Sequence, residues 1–260
     1  MDSIRDRISE ADVCSYIKNG HFYLPKVAME DEILEVRAEL LKIIEKEMRI
    51  RSTRNDVYGK AFLQIMNVWR CSDLVKRFVF TKRFAYLAAR LLGTEEVRLY
   101  YDCVLFKQSG GGHTPIHIDP FVVDASKVIT MWMPLTDIPN EVGSLHFMTG
   151  SHLMGTINRS IERLVSDAYR KQLPLVTYGA MKAGDVTFHS GWTIHGAPPN
   201  PTDGTREVLA ITYFKSPEKI IEFSSNSHRQ ESLSRYFVNL TWGNDAITEF
   251  NPILYSGHHL

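Results

Sequence analysis

Between Glu95 and Lys215 the chain is a series of short β-branched and aromatic runs: "EEVRLYYDCVLFK", "KVITMWMPLTD", "GSLHFMT", "LVTYG", "GDVTFHSGWTIHGA" and "REVLAITYFK". Each is bounded by Gly, Pro, Asn or Asp, the residues that stop strands and form turns. Six or more short strands with little helix between them can bury their apolar faces only against one another. That predicts a sandwich or a barrel. In "KVITMWMPL", Val128, Thr130 and Trp132 alternate with Ile129, Met131 and Met133. A period of two gives one strand two distinct faces.

The first ninety residues read as helix. "MEDEILEVRAELLKIIEKEM" places Ile33, Val36, Leu40, Leu41, Ile44 and Met48 on one face at helical spacing, with acids at its start. "SDLVKRFVF" begins at a capping Ser72, and "TKRFAYLAARLLG" runs from a capping Thr81 to a stop at Gly93 with Phe84, Leu87, Ala88 and Leu91 on one face. We expect one domain over 1–260. It comprises a mostly helical scaffold at 1–93, a β core at 94–215 with a helical insertion near 153–173, and a C-terminal segment at 216–260. The last segment carries Phe223, Tyr236, Phe237, Trp242, Phe250 and Tyr255, which predicts that it packs back on the core.

Composition excludes several classes. At 44% hydrophobic the chain can build a sizeable core, and a formal net charge of zero with no basic stripe argues against nucleic acid as a partner. No apolar stretch approaches the length of a membrane span, and "MDSIRDRISEADVCSYIKNG" has no apolar signal region. Cys14, Cys71 and Cys103 are scattered with no CxxC pair, as expected of reduced, mostly buried thiols in a cytoplasmic protein.

Chemistry concentrates in "HTPIHIDPF", residues 113–121. If "PIHID" is a strand, His117 and Asp119 share a face. A lone His-x-Asp is weak, so the rest of a shell must come from elsewhere. "GDVTFHSGWTIHGAPPNPTDGTREVLAITYF" contains two strands around a loop rich in Pro, Asn, Asp and Gly. Folded as a hairpin near Asn200–Pro201, it sets Arg206 opposite His195. Arg206 then heads a face of Val208, Ala210 and Thr212, which suits a buried cation with an anion to hold. Two imidazoles and a carboxylate form the facial triad of non-haem Fe(II) oxygenases, with positions left open for O₂ and a cosubstrate. A guanidinium beside it can grip a carboxylate in two-point fashion. The cosubstrate that places one carboxylate at the metal and one at an arginine is 2-oxoglutarate.

In order along the chain, "YIKNGHFYLPKV", "LLGTEEVRLYYDCVLFKQSGGGHTPIHIDP", "MWMPLTDIPNEVGSLHFMTGSH" and "GDVTFHSGWTIHGAPPN…R" resemble the phytanoyl-CoA dioxygenase family of Fe(II)/2-oxoglutarate oxygenases. The resemblance covers most of the chain. It implies a mainly β fold with N-terminal helices: a double-stranded β-helix, or cupin-like jelly roll, with helices packed on its major sheet. It implies His117, Asp119 and His195 as iron ligands and Arg206 as the 2-oxoglutarate clamp. Trp132 and Gln64 fall near cosubstrate contacts, Gln64 from the helical region. Two departures stand out: Cys103 where many members have glutamine, and Val142 where many have asparagine before the hairpin glycine.

Several residues carry two readings. His113, in a glycine-rich loop, is a substrate contact or a solvated loop histidine. Phe121 and Cys103 are further candidates for the substrate side. His152 is read as stabilising the "TGSH" turn and Trp192 as core. His189 is read as structural, since Gly191 permits a break before His195. The implied reaction consumes 2-oxoglutarate and O₂, releases succinate and CO₂, and oxidises an unactivated C–H of a small metabolite, with hydroxylation expected. Asp119 favours oxygenation, because halogenases on this scaffold replace the carboxylate with a small residue. Desaturation, cyclisation or epoxidation would use the same iron chemistry. The rival of another class is a non-enzymatic cupin-like metal-binding or sensor protein, which has no use for Arg206. The expected partner is a small molecule, with neither nucleic acid nor membrane. Net neutrality disfavours a CoA thioester and favours a small, largely apolar metabolite or amino acid derivative.

Overall fold

The computed structural model describes residues 7–52, 62–156, 160–223 and 227–257. Ser9 opens α1 (Glu10–Asn19) with a capping box, accepting from the Asp12 N–H at 3.2 Å and donating its own N–H to the Asp12 carboxylate at 2.9 Å. Gly20 ends the helix at φ +80°, its N–H bonded to the Tyr16 carbonyl at 2.7 Å. A Cβ there would lie within 2.8 Å of the His152 ring and the Thr193 hydroxyl, so neither the backbone angle nor the space admits another residue. His152 reaches the Ile17 carbonyl at 2.9 Å. It therefore joins the end of α1 to the body rather than stabilising its own turn.

The chain continues through β1 (His21–Leu24), α2 (Glu30–Ser52), β2 (Phe62–Met66), α3 (Asp73–Val79) and α4 (Lys82–Leu92). Two strands thus interrupt the stretch expected to be helical, of which 53–61 lies outside the described residues. In α2 the buried positions are Ile33, Val36, Leu40 and Ile43, while Leu41 is exposed. The helix is rotated slightly from the face read in the sequence. Ser72 caps α3 as expected, accepting from the Leu74 N–H at 3.2 Å. Thr81 precedes α4, but its hydroxyl donates to the Arg77 carbonyl instead of capping. Phe84, Leu87, Ala88 and Leu91 are all buried, and Gly93 ends α4 in the left-handed region.

The remaining elements are β3 (Glu96–Lys107), β4 (Thr114–His117), β5 (Val128–Pro134), β6 (His146–Met148), α5 (Ile161–Arg170), β7 (Leu175–Thr177), β8 (Val186–Ser190), β9 (His195–Ala197), β10 (Arg206–Lys215), α6 (Ser227–Tyr236) and β11 (Ile253–Ser256). They form a double-stranded β-helix. Its large sheet runs β1-β8-β5-β10-β3-β11, with β2 also pairing β3, and its small sheet runs β4-β9-β6-β7. Ile129, Met131 and Met133 of β5 join Leu209 and Ile211 of β10 in a cluster with Phe84, Leu87 and Leu91 of α4. This is the outer face of the large sheet, covered by helices. Trp132, Val208 and Ala210 face inward and meet Leu145 and Phe147 of the small-sheet side. The alternation read in "KVITMWMPL" is the division between these two layers. Arg37 of α2 clamps Glu207 at 2.5 and 2.9 Å, tying helix to sheet one residue from Arg206.

Leu233, Tyr236 and Phe237 are buried against the interior, whereas Trp242 is exposed. Cys103 is buried, but Cys14 and Cys71 are exposed, contrary to the expectation of mostly buried thiols. No helix among the described residues is long and apolar enough to cross a membrane.

Asp102 gives a test of the helix-facing layer. It is fully buried on β3; one carboxylate oxygen accepts from the Trp69 N–H at 3.4 Å, and the other has no partner among the described residues. Burial, only partly offset by backbone N–H groups, raises its carboxyl from 3.8 to about 7. The native state therefore keeps a proton that the unfolded chain loses above pH 4. Stability falls as pH rises from about 4 to 7 and levels off above, by on the order of 4 kcal/mol at 1.36 kcal/mol per unit. Asp102→Asn should remove that slope. Denaturant midpoints of both proteins at pH 4.5, 5.5, 7 and 8 measure it, and a pH-independent difference between them would refute it.

Candidate metal centre

Strands β4 and β9 are neighbours in the small sheet, and their register makes His117 and His195 direct partners. The two rings lie 4.4 Å apart between centroids. Each Nδ1 is held by the backbone carbonyl two residues earlier: His117 by Pro115 at 2.8 Å, His195 by Thr193 at 2.9 Å. A carbonyl only accepts, so each Nδ1 carries the proton and each Nε2 presents its lone pair. Both Nε2 atoms face Asp119, at 3.5 Å from one carboxylate oxygen and 3.9 Å from the other. The three donor atoms lie within 4.8 Å of one another. Strand β4 ends at His117, so Asp119 is placed by the turn that follows, in which its carbonyl accepts from the Phe121 N–H at 3.0 Å. The strand alternation expected to align the two residues does not extend that far.

Burial opposes charge on Asp119, but the His117 hydrogen bond and the nearby imidazoles hold it below the usual carboxylate range. Burial, then the charge of His117, lowers His195 to about 4. For His117 burial acts downward, and the Asp119 hydrogen bond and charge outweigh it. Two imidazole Nε2 atoms beside one ionised carboxylate, lining one cavity, fit a divalent transition metal that takes the place of any proton between His117 and Asp119 and leaves positions open.

That cavity, of about 210 Å³, is walled by the inward residues of the large sheet, including Trp132, Thr130, Cys103, His189 and Arg206. Arg206 is 5% exposed, and its Nε and one terminal nitrogen have no partner among the described residues. Burial lowers it to about 10, still a cation at neutral pH. Its guanidinium carbon sits 5.5 Å from the Trp132 ring centroid. Lys107 is its register partner on β3, bonded to the Thr114 hydroxyl at 3.0 Å and the Pro198 carbonyl at 2.9 Å. Burial and the Arg206 charge lower Lys107 to about 8. Among the lining residues no carboxylate other than Asp119 faces this positive end. The same cavity thus offers a site able to hold a metal and a buried cation able to hold an anion.

The route by which Arg206 arrives differs from the hairpin expected. Strand β9 pairs with β4 and β6, whereas β10 pairs with β3 and β5. The loop between them crosses from one sheet to the other. It is fixed by the Asn200 amide, which donates to the carbonyls of Lys107, Gln108 and Gly204 at 3.0, 3.2 and 2.7 Å. His195 and Arg206 reach the same cavity from opposite sheets, not as ladder partners.

Gln64 lines the cavity from strand β2, where it is the register partner of Leu105, and not from a helix as expected. Burial raises the adjacent Cys103 thiol, partly offset by a hydrogen bond with Gln64. His113 is exposed and is absent from the cavity walls. Phe121 is buried and faces a second cavity of about 290 Å³, which shares Gln64, Tyr101, His117 and Asp119 with the first. Helix α6 walls it with His228, Glu231, Ser232, Arg235 and Tyr236. None of these α6 residues was singled out as a site residue from the sequence; the only signal was the mixture of charges and aromatics in the C-terminal segment. Trp192 is core, as expected. His189 was read as structural, yet its ring lies in the inner cavity wall, 4.4 Å from that of His195.

The profile of the phytanoyl-CoA dioxygenase family matches residues 16–208. A methylphosphonate hydroxylase of Gimesia maris is 29% identical over 127 residues, and the match spans about half of either chain, 48% of each. The crystal structure of SnoK, a non-heme α-ketoglutarate-dependent carbocyclase from nogalamycin biosynthesis, is similar with a TM-score of 0.79 at 24% identity, over 95% of this chain and 97% of SnoK. The epimerase SnoN, in complex with Fe3+, α-ketoglutarate and nogalamycin RO, gives 0.78 at 23% identity over 94% and 98%. Both structural likenesses bear on the fold.

Proposed function

The chain belongs to the phytanoyl-CoA dioxygenase family, and from that premise we propose that it is an Fe(II)/2-oxoglutarate-dependent oxygenase that hydroxylates an unactivated C–H of a small molecule in secondary metabolism. The observation that carries this reading is Arg206: a buried guanidinium, with two nitrogens unbonded among the described residues, lining the same cavity as a His-Asp-His cluster. A metal-binding sensor would gain nothing from that uncompensated charge.

In this reading His117, Asp119 and His195 hold Fe(II), and Arg206 takes the distal carboxylate of 2-oxoglutarate. Iron with 2-oxoglutarate and O₂ supplies the oxidant, releasing succinate and CO₂. The protein's part is to orient and to exclude water. The Pro115 and Thr193 carbonyls fix the imidazoles. Trp132 packs beside the guanidinium and helps screen it from solvent. Substrate enters through the outer cavity, where Tyr101, Phe121 and Tyr236 offer ring surfaces beside the metal ligands. The guanidinium in its wall, Arg235, is paired with Glu231 at 2.8 Å. That leaves little for the phosphates of a CoA thioester and favours a small neutral metabolite. The named relatives include a hydroxylase, a carbocyclase and an epimerase. The outcome here therefore depends on where the outer cavity places the substrate carbon.

The test is succinate release with Fe(II), ascorbate, O₂ and 2-oxoglutarate, screened across candidate substrates. Slow 2-oxoglutarate-dependent succinate formation is expected alone, with stimulation by the true substrate. A protein that binds iron but neither binds nor consumes 2-oxoglutarate would return the reading to a sensor.

A further inference from the structure

His189 faces the inner cavity and has no part in the triad or the Arg206 contact. Its register partners are His21 on β1 and Thr130 on β5, in the middle of the large sheet. Both are satisfied: Thr130 bonds Thr212 at 3.0 Å, and His21 bonds Tyr178 and Thr149 at 2.8 Å each. His189 differs. It is 2% exposed, and neither ring nitrogen has a partner among the described residues. The His195 ring lies 4.4 Å away and the Phe147 ring 5.5 Å away.

A neutral imidazole has one N–H and one lone pair, and leaving such groups buried and unsatisfied costs about 1–3 kcal/mol each. Phe or Leu would fill the same space without that cost. A histidine here makes physical sense if a ligand in the cavity completes it. Its position decides which part of the ligand. His189 sits against the proposed iron ligand His195, whereas Arg206 packs by Trp132. The geometry points to His189 as a hydrogen-bond donor to the metal-chelating, 2-oxo-acid end of the cosubstrate, with Arg206 taking the distal carboxylate. This rests on the oxygenase reading above.

The experiment is anaerobic titration of the Fe(II)-loaded protein with 2-oxoglutarate, followed by its metal-to-ligand charge-transfer band. Oxalate, which presents only a chelating end, is measured by competition. His189→Phe keeps a ring and removes the donor. It should weaken 2-oxoglutarate and oxalate by one common factor of roughly 10–100, with Fe(II) affinity unchanged. His189→Gln restores a donor and should recover most of the loss. Arg206→Ala should weaken 2-oxoglutarate while leaving oxalate nearly unaffected. His189→Leu, run in parallel with thermal melts, decides the matter if the phenylalanine variant does not fold.

Wild-type affinity for both ligands in His189→Phe would overturn the proposal. So would weakening of 2-oxoglutarate alone, or an equal loss of Fe(II), which would make His189 a prop for His195. A wild-type protein that binds Fe(II) and shows no 2-oxoglutarate band would instead remove the oxygenase reading itself, a result separate from any change at His189.

Discussion

His195→Ala should bind Fe(II) more than about 100-fold more weakly than wild type and form no measurable succinate. Losing a partner that only orients a metal ligand already costs about 10–100-fold in metal affinity or activity, and removing the ligand itself exceeds that. The fold should persist. The side chain of His195 is held through Nδ1 by the Thr193 carbonyl and faces Asp119 through Nε2, while the backbone ladder with β4 and β6 does not depend on it. His117→Ala should behave the same way, since His117 is its register partner with the same carbonyl restraint. His113→Ala is the control: His113 is exposed and outside both cavities, so its loss should change neither iron nor turnover. Iron content, circular-dichroism melts and succinate assays on the three variants separate these expectations. A His195→Ala protein with full iron and wild-type succinate would dissolve the proposed triad.

What could be read in the sequence was local. The period-two pattern of β5 foretold two faces, and the structure divides them between a helix-covered layer and the interior. Ser72 and Gly93 announced helix ends because capping depends on residues beside them. Strands β1 and β2 left little local mark for the complementary reason. Each is four or five residues long, and their partners lie far along the chain: His21 opposite His189, Gln64 opposite Leu105. Nothing within so short a segment outweighs the helical pattern around it.

The hairpin inferred around Asn200 shows a subtler limit. Turn residues reveal that the chain reverses, but not which sheet it rejoins. In a double-stranded β-helix successive strands can go to opposite sheets, so Arg206 and His195 meet across the interior. The ladder opposition expected of them is not formed; both line one cavity, reached from two sheets. His189 was set aside for a related reason. Gly191 was read as permitting a break before His195, and β8 does end at Ser190; but the two histidines then project from different sheets into one cavity, which no argument along a single strand reveals. The α6 wall of the outer cavity depends wholly on tertiary packing and left no local mark.

Arg206→Ala should lose 2-oxoglutarate and keep iron. Truncating one partner of a buried, charge-assisted pair costs about 2–5 kcal/mol, roughly 30- to 4,000-fold in affinity at 1.4 kcal/mol per decade. Iron is retained because Arg206 enters from the large sheet and touches none of the three donors. Arg206→Lys should rescue only in part. An ammonium lacks the planar fork that grips a carboxylate at two points, and it would stand opposite Lys107, whose own charge burial already disfavours. Stability should move the other way. Without its anion, Arg206 is a buried cation with two nitrogen atoms unbonded among the described residues, so Arg206→Leu should melt at or above the wild-type temperature in the absence of cosubstrate. Adding Fe(II) and 2-oxoglutarate should then raise the wild-type melting temperature and leave that of the leucine variant where iron alone puts it, since ligand stabilisation follows affinity. The crossing of the two melting series is the signature of a residue kept for its ligand at a cost to the fold. If the alanine variant binds 2-oxoglutarate as wild type does, or loses iron together with it, the distal carboxylate has another partner and Arg206 belongs to the scaffold.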